Sequence, residues 1–129
     1  MDKENSSLNI LLIEDSDTDA FSIQRTIKKY YGGVNCRRAS TMHEGEDILQ
    51  EEPVDLLLLD LGLPDTASPQ HTYERAKKWF KKIPVIIMTN LCDHDFARVM
   101  VHEGAADFIS KDILVKDPKH IQTDLPPEI

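Results

Sequence analysis

The sequence predicts an α/β fold, a doubly wound five-stranded parallel sheet covered by helices on both faces, and three observations carry that prediction. Five short apolar runs alternate with amphipathic stretches, the pattern of consecutive βα units. Four of the runs end in a residue able to handle phosphate or a hard metal ion. Leu8 to Ile13 leads into Glu14 and Asp15, Val54 to Leu59 into Asp60, Pro84 to Met88 into Thr89, and Ala106 to Ser110 into Lys111. In an open α/β sheet ligands bind at the carboxyl ends of the strands, beside the point where strand order reverses. One acid pair, one aspartate, one hydroxyl and one ammonium are thus aimed at a single crevice. Finally, 129 residues suit one domain that buries a core without disulfides or structural metal.

The first strand, Leu8 to Ile13, precedes a helix starting near Ser16 or Asp17. Its Ala20, Ile23, Ile27 and Tyr30 or Tyr31 form one apolar stripe at helical spacing, and Gly32 and Gly33 stop it. Val34 to Ala39 is the second strand. A second helix over about Met42 to Gln50 is weakened by Gly45, which lowers helix propensity. Val54 to Leu59 is the third strand, followed by a helix near Thr72 to Lys82 that buries Tyr73, Ala76 and Phe80. Pro84 marks the exit into the fourth strand. A fourth helix buries Ala97, Met100 and Val101 and ends at Gly104, a left-handed cap. After the fifth strand, Asp117 and Pro118 read as the N-cap and first position of a shortened C-terminal helix that runs through Ile121. Pro126 and Pro127 then stop it. So short a helix would leave that face bare or mark the chain as part of a longer one.

Composition narrows the function. A formal net charge of −8 with scattered basic pairs argues against a nucleic-acid footprint, which needs clustered Lys and Arg. Cys36 and Cys92 stand without a CxxC or a histidine at ligand spacing, so zinc and disulfides are not expected, and both thiols read as buried in a reducing cytoplasm. No apolar stretch approaches the roughly 20 residues that span a bilayer.

Four segments carry a resemblance: Ile10-Leu11-Leu12-Ile13-Glu14-Asp15, Asp55 to Pro64 around Asp60, Pro84-Val85-Ile86-Ile87-Met88-Thr89, and Gly104 to Lys111. In order, each at a strand end, they resemble the receiver domains of two-component response regulators. The resemblance implies a flavodoxin-like sheet in the order 2-1-3-4-5. It makes Asp60 the phosphoryl acceptor, supplied by a histidine kinase or histidine phosphotransfer protein. It places Mg2+ on Asp15, Asp60 and the backbone carbonyl of Gly62, with Glu14 acting directly or through water. Lys111 would pair with the phosphoryl oxygens and Thr89 would donate its hydroxyl to one of them. Phe108 would then couple the site to an output face made by the fourth helix, fifth strand and fifth helix, where an unknown partner binds. A phosphorylation-dependent dimer is also compatible with the resemblance. Singly, each residue has a plainer reading: the acid pair as a helix N-cap, Asp60 as a loop carboxylate, Thr89 as a strand residue, Phe108 as core, Lys111 as a solvated cation. Four strand ends together are what the plainer readings do not supply.

The chain departs from the family pattern in places. Asp112 rather than proline follows Lys111, so a trans bond is expected there. The loop from Asp65 to His71 lacks the glycine that usually shapes the turn into the third helix, and Asn90 stands where a small residue is usual. Gly62 and Leu91, two residues after Asp60 and Thr89, offer no polar side chain to an attacking water, which implies a slow loss of phosphate. The expected unit is one receiver domain over residues 1–129, with a polar tail at 1–7 and a tail or linker start at 126–129. It would be a cytoplasmic signalling switch, assisting its own phosphorylation and dephosphorylation, and not a metabolic enzyme. Two alternatives are a phosphorylation-independent interaction module and a phosphatase of the haloacid dehalogenase type. The latter needs a second acid at the position of Gly62.

Overall fold

The computed structural model describes residues 8–89 and 102–124. The side chains of Thr89 and of residues 122–124, the predicted fourth helix from Ala97 to Val101, Asn90, Leu91, Cys92 and both tails lie outside the described residues. Five parallel strands, β1 (Leu8–Ile13), β2 (Val34–Ala39), β3 (Leu56–Asp60), β4 (Val85–Thr89) and β5 (Asp107–Ser110), form one sheet in the order β2-β1-β3-β4-β5. The doubly wound order 2-1-3-4-5 is therefore observed. Central β3 is buried at all five positions, as a parallel strand covered on both faces must be, whereas edge strand β2 carries exposed Asn35 and Arg37.

Side chains alternate across the pleat and divide the core in two. Leu11, Ile13, Leu57, Leu59, Val85 and Ile87 face helices α2 (Met42–Glu51) and α3 (Pro69–Ala76), whose Met42, Ile48, Leu49, Tyr73 and Ala76 cover them. Ile10, Leu12, Leu56, Leu58, Ile86 and Met88 face the other way, onto Ala20, Ile23 and Ile27 of α1 (Asp17–Tyr30) and onto Leu114 and Ile121. α1 begins as its sequence predicts, with Ser16 as N-cap accepting from the Asp19 amide, acids in its first turn and lysines in its last. Of the two tyrosines it is Tyr31 that is buried, and its hydroxyl donates to the Pro118 carbonyl at 2.9 Å, while Tyr30 is exposed.

Three expectations need correction. The third helix does not start near Thr72 but at Pro69, with Ser68 accepting from the His71 amide. It gives way after Ala76 to a 3-10 turn, Lys77–Trp79. The Ser-Pro pair is a cap and first helical position, placed in what looked like loop. Trp79 is the buried aromatic of that turn, and Phe80 only partly so. The expected C-terminal helix does begin at Pro118 and run past Ile121, but as a 3-10 helix, and another helix precedes it. A six-residue helix, Lys111–Lys116, follows β5 directly, capped by Ser110, and a 3-10 helix covers Pro118–Asp124. Pro118 restricts the residue before it to extended backbone and so ends the first piece. The face is thereby covered, since Leu114 and Ile121 are fully buried. Cys36, expected buried, is half-buried; burial pushes its thiol up to about 12, which keeps it protonated.

Gly45 is not a weak point of α2. A Cβ there would lie 2.2 Å from Cδ1 and 2.7 Å from Cγ1 of Ile13, so the glycine lets α2 settle on β1. Gly45→Ala is expected to lower stability by about 1 kcal/mol, because overpacking outweighs the gain in helix propensity. Urea unfolding measures it, and a higher midpoint would show that Ile13 has room to turn away.

Candidate functional site

Strand register brings the site together. Ile13 pairs with Leu59, Asp60 with Met88, and Thr89 with Ser110, so Glu14, Asp60, Thr89 and Lys111 lie at consecutive steps along one edge of the sheet. Glu14 continues the ladder one residue past β1, its amide donating to the Ala39 carbonyl at 2.9 Å. Its side chain is fully buried. Oε2 accepts from the Ser16 amide at 3.1 Å, and Oε1 sits 2.7 Å from the Lys111 ammonium, outside hydrogen-bond alignment. Asp60, 8% exposed at the end of β3, accepts from the Gly62 amide through Oδ1 at 3.2 Å. Its Oδ2 is 3.5 Å from Lys111 Nζ. Asp15 is exposed, yet one carboxylate oxygen each from Glu14, Asp15 and Asp60 lie within 4.8 Å of one another.

Lys111, the first residue of the short helix that Ser110 caps, is only 7% exposed. A buried ammonium must be paired, and Asp19 supplies a third carboxylate at 3.1 Å. Burial pulls the Lys111 pKa down, but Glu14, Asp60 and Asp19 outweigh it and hold the group above its ordinary value. The bond from Lys111 to Asp112 is trans, as expected; no peptide bond among the described residues is cis. Phe108 is half-buried against the core that α2 and α3 share with the sheet. The Gly62 carbonyl belongs to the turn directly after Asp60, and a Cβ on Gly62 would stand 4.0 Å from Asp60 Oδ1, in ordinary van der Waals contact with the carboxylate.

Two groups of supporting residues escaped the sequence reading. Arg38, at the end of β2, donates to the Glu14 carbonyl at 3.0 Å and to Asp17 at 2.8 Å, fastening the turn that carries the acid pair. The loop after β3 needs no glycine because polar contacts hold it. Asp65 accepts from the Met42 and His43 amides at 2.8 and 2.9 Å, and the Thr72 hydroxyl donates to the Leu61 carbonyl at 2.8 Å. Burial pushes the Asp65 carboxyl up, but these amides and nearby Arg75 bring it below its ordinary value. An acid with a helix start 23 residues upstream has no local signal that links the two.

The profile of the response regulator receiver domain matches residues 10–123. The chain belongs to that family. It is 32% identical over 103 residues to the transcriptional regulatory protein VxrB of Vibrio cholerae, covering 79% of this chain and 39% of that protein. Among solved structures, a response regulator receiver domain protein from Clostridium thermocellum superposes with a TM-score of 0.72 at 27% identity, covering 88% of this chain and 89% of that one. The signal receiver domain of a Luxo repressor protein from Vibrio parahaemolyticus gives 0.77 at 25% identity, covering 91% and 88%. The chain spans less than half the length of the curated relatives it matches. As a response regulator receiver domain it is a signalling module, and no helix among the described residues is long and apolar enough to cross a membrane.

Burial pushes the Glu14 carboxyl up from 4.5 to about 7, against the opposing pull of Lys111 and the Ser16 amide and with Asp60 adding to the rise. The folded receiver therefore keeps a proton that the unfolded chain releases near 4.5, and metal-free stability should fall as pH rises from about 4.5 through about 7. The loss is expected to be on the order of 1–3 kcal/mol. Unfolding at several pH values, with Glu14→Gln beside the parent, tests it: the Gln variant should show the shallower dependence, and equal slopes would mean that Glu14 is ionised throughout.

Proposed function

We propose that this receiver domain is a phosphoacceptor switch in which Asp60 takes a phosphoryl group from the phosphohistidine of a histidine kinase or histidine phosphotransfer protein. The supporting observation is the meeting at Asp60, on the end of the central strand, of a buried ammonium at 3.5 Å and two further acids. An Asp60 oxygen attacks phosphorus and the P–N bond to the donor imidazole breaks. Its electron pair returns to the imidazole ring, which is left to take up a proton, and an acyl phosphate forms. Such transfer is mostly positioning and neutralisation of charge. Lys111, already tethered beside Asp60, turns to the incoming oxygens; the Thr89 hydroxyl donates to another, and Phe108 links that movement to the output surface around β5.

Glu14, Asp15 and Asp60, with the Gly62 carbonyl, would hold Mg2+. These three carboxylates, of which Glu14 and Asp60 face Lys111, gather more negative charge than one ammonium offsets, and Glu14 Oε1 is a buried oxygen without an aligned donor. Hard oxygen donors of this kind suit Mg2+, which when bound neutralises phosphoryl charge. The switch assists its own phosphorylation and dephosphorylation without being a metabolic enzyme. The chain acts as one cytoplasmic receiver unit, signalling to a partner or a second copy. A haloacid-dehalogenase mechanism lacks its second acid, since Gly62 holds that position. An interaction module that works without phosphate differs in one respect, its failure to accept the group.

Acetyl phosphate with millimolar Mg2+ is therefore expected to label the parent near stoichiometry and Asp60→Asn not at all, read by intact mass. Persistent labelling of the variant would place the acceptor elsewhere. Mg2+ should also raise the melting temperature, by on the order of 1 kcal/mol of stability at a few times its dissociation constant. An unchanged midpoint would count against a metal-binding acid pocket. Leu91→Glu should hasten decay of the phosphorylated form by giving the attacking water a polar neighbour, as decay assays would show.

A further inference from the structure

Lys111 is shared among three carboxylates, and its contacts are shortest to the two that are not the acceptor: 2.7 Å to Glu14, 3.1 Å to Asp19 and 3.5 Å to Asp60. Asp19 sits on another element, the first turn of α1, and the helix cap explains why its side chain is available. Ser16 is the N-cap and Asp19 the third helical residue, positions at which an acid commonly reaches back to the N-cap amide. Here that amide donates to Glu14 instead, at 3.1 Å. Asp19 Oδ2 instead accepts a hydrogen bond from Lys111 Nζ across 92 residues of chain. The pair lines a small surface cavity of ≈ 190 Å³ bounded by Ser22 and Val115, so Asp19 can swing into solvent when it lets go.

Resting on the phosphoacceptor reading above, the geometry points to Asp19 as a positioning residue that holds the Lys111 ammonium back from Asp60 and slows acceptance of the phosphoryl group. An ammonium has three donors. A phosphoryl oxygen on Asp60 needs one of them, and Asp19, half-exposed and outside the acid cluster, is the partner that solvent can most readily replace. Asp19→Asn keeps a polar group in the first turn of α1 but weakens its hold on the cation.

Acetyl phosphate labelling of the 129-residue chain in saturating Mg2+ tests this. Asp19→Asn is expected to raise the rate constant at saturating donor about fivefold, the change that one partly exposed charge-assisted hydrogen bond supports. The donor concentration giving half-maximal rate should stay near the parent's. A gain confined to that concentration would mean general relief of charge repulsion and would overturn the inference. Asp19→Glu, which restores a carboxylate, should return the rate toward the parent's. In a Lys111→Arg background the effect of Asp19→Asn should shrink; an undiminished effect would show that Asp19 does not act through Lys111. Nitrogen-detected NMR of the Lys111 ammonium, without metal or donor, should show faster proton exchange in Asp19→Asn, and unchanged exchange would overturn the inference. So would a changed Mg2+ affinity, which would place Asp19 in the acid cluster. Labelling of the parent at Asp60 with equal rates in Asp19→Asn defeats this inference alone. No labelling of the parent defeats the acceptor assignment and this inference with it.

Discussion

The contact on which the carboxyl edge of this sheet depends is the burial of one ammonium among acids that would otherwise repel one another. Glu14, Asp19 and Asp60 come from the end of β1, the first turn of α1 and the end of β3, and Lys111 touches all three. Taking a carboxylate as buried as Glu14 out of water costs several kcal/mol, and Lys111 offsets only part of that, so Glu14 still holds its proton up to about 7. Lys111 in turn could not be so buried without them. The site and the local fold therefore stand together: the turns after β1 and β3 and the start of the C-terminal helix are packed around a single charge.

That charge is placed by apolar packing. Alternating residues of β1, β3 and β4 build two cores, one under α2 and α3 and one under α1 and the C-terminal segment, and each strand is pinned from both sides. A one-residue slip would exchange the two sets of side chains and move an acid away from the lysine. The parallel order puts all these strand ends on the same edge, so register alone carries Glu14, Asp60 and Lys111 into one crevice.

All five strands were legible within about two residues, because buried parallel strands are nearly unbroken apolar runs. Their terminal residues were legible for the same reason. What escaped was whatever depends on a distant partner. Gly45 reads as a residue that weakens its helix until Ile13 is seen beneath it. Arg38 reads as a solvated edge residue until its bonds to Glu14 and Asp17 appear. Ser110 reads as the last residue of a strand and is also a helix cap, so the helix from Lys111 was missed and a later one expected. Asp19 reads as an ordinary first-turn acid, and nothing local says that its hydrogen bond goes to Lys111.

The bonds from the Met42 and His43 amides to Asp65 bear on how such domains could be recombined. The segment after Asp60 and the first turn of α2 share one carboxylate, which satisfies two helix-start amides that no residue of α2 reaches. A chimera that imported the β3–α3 loop from another receiver, without an acid at that place, would leave Thr41 to cap α2 alone and take the acceptor away from its first two amides. The acid lies 23 residues from the first amide it serves, so a crossover falling between them keeps the start of α2 satisfied only if the incoming loop also carries an acid there.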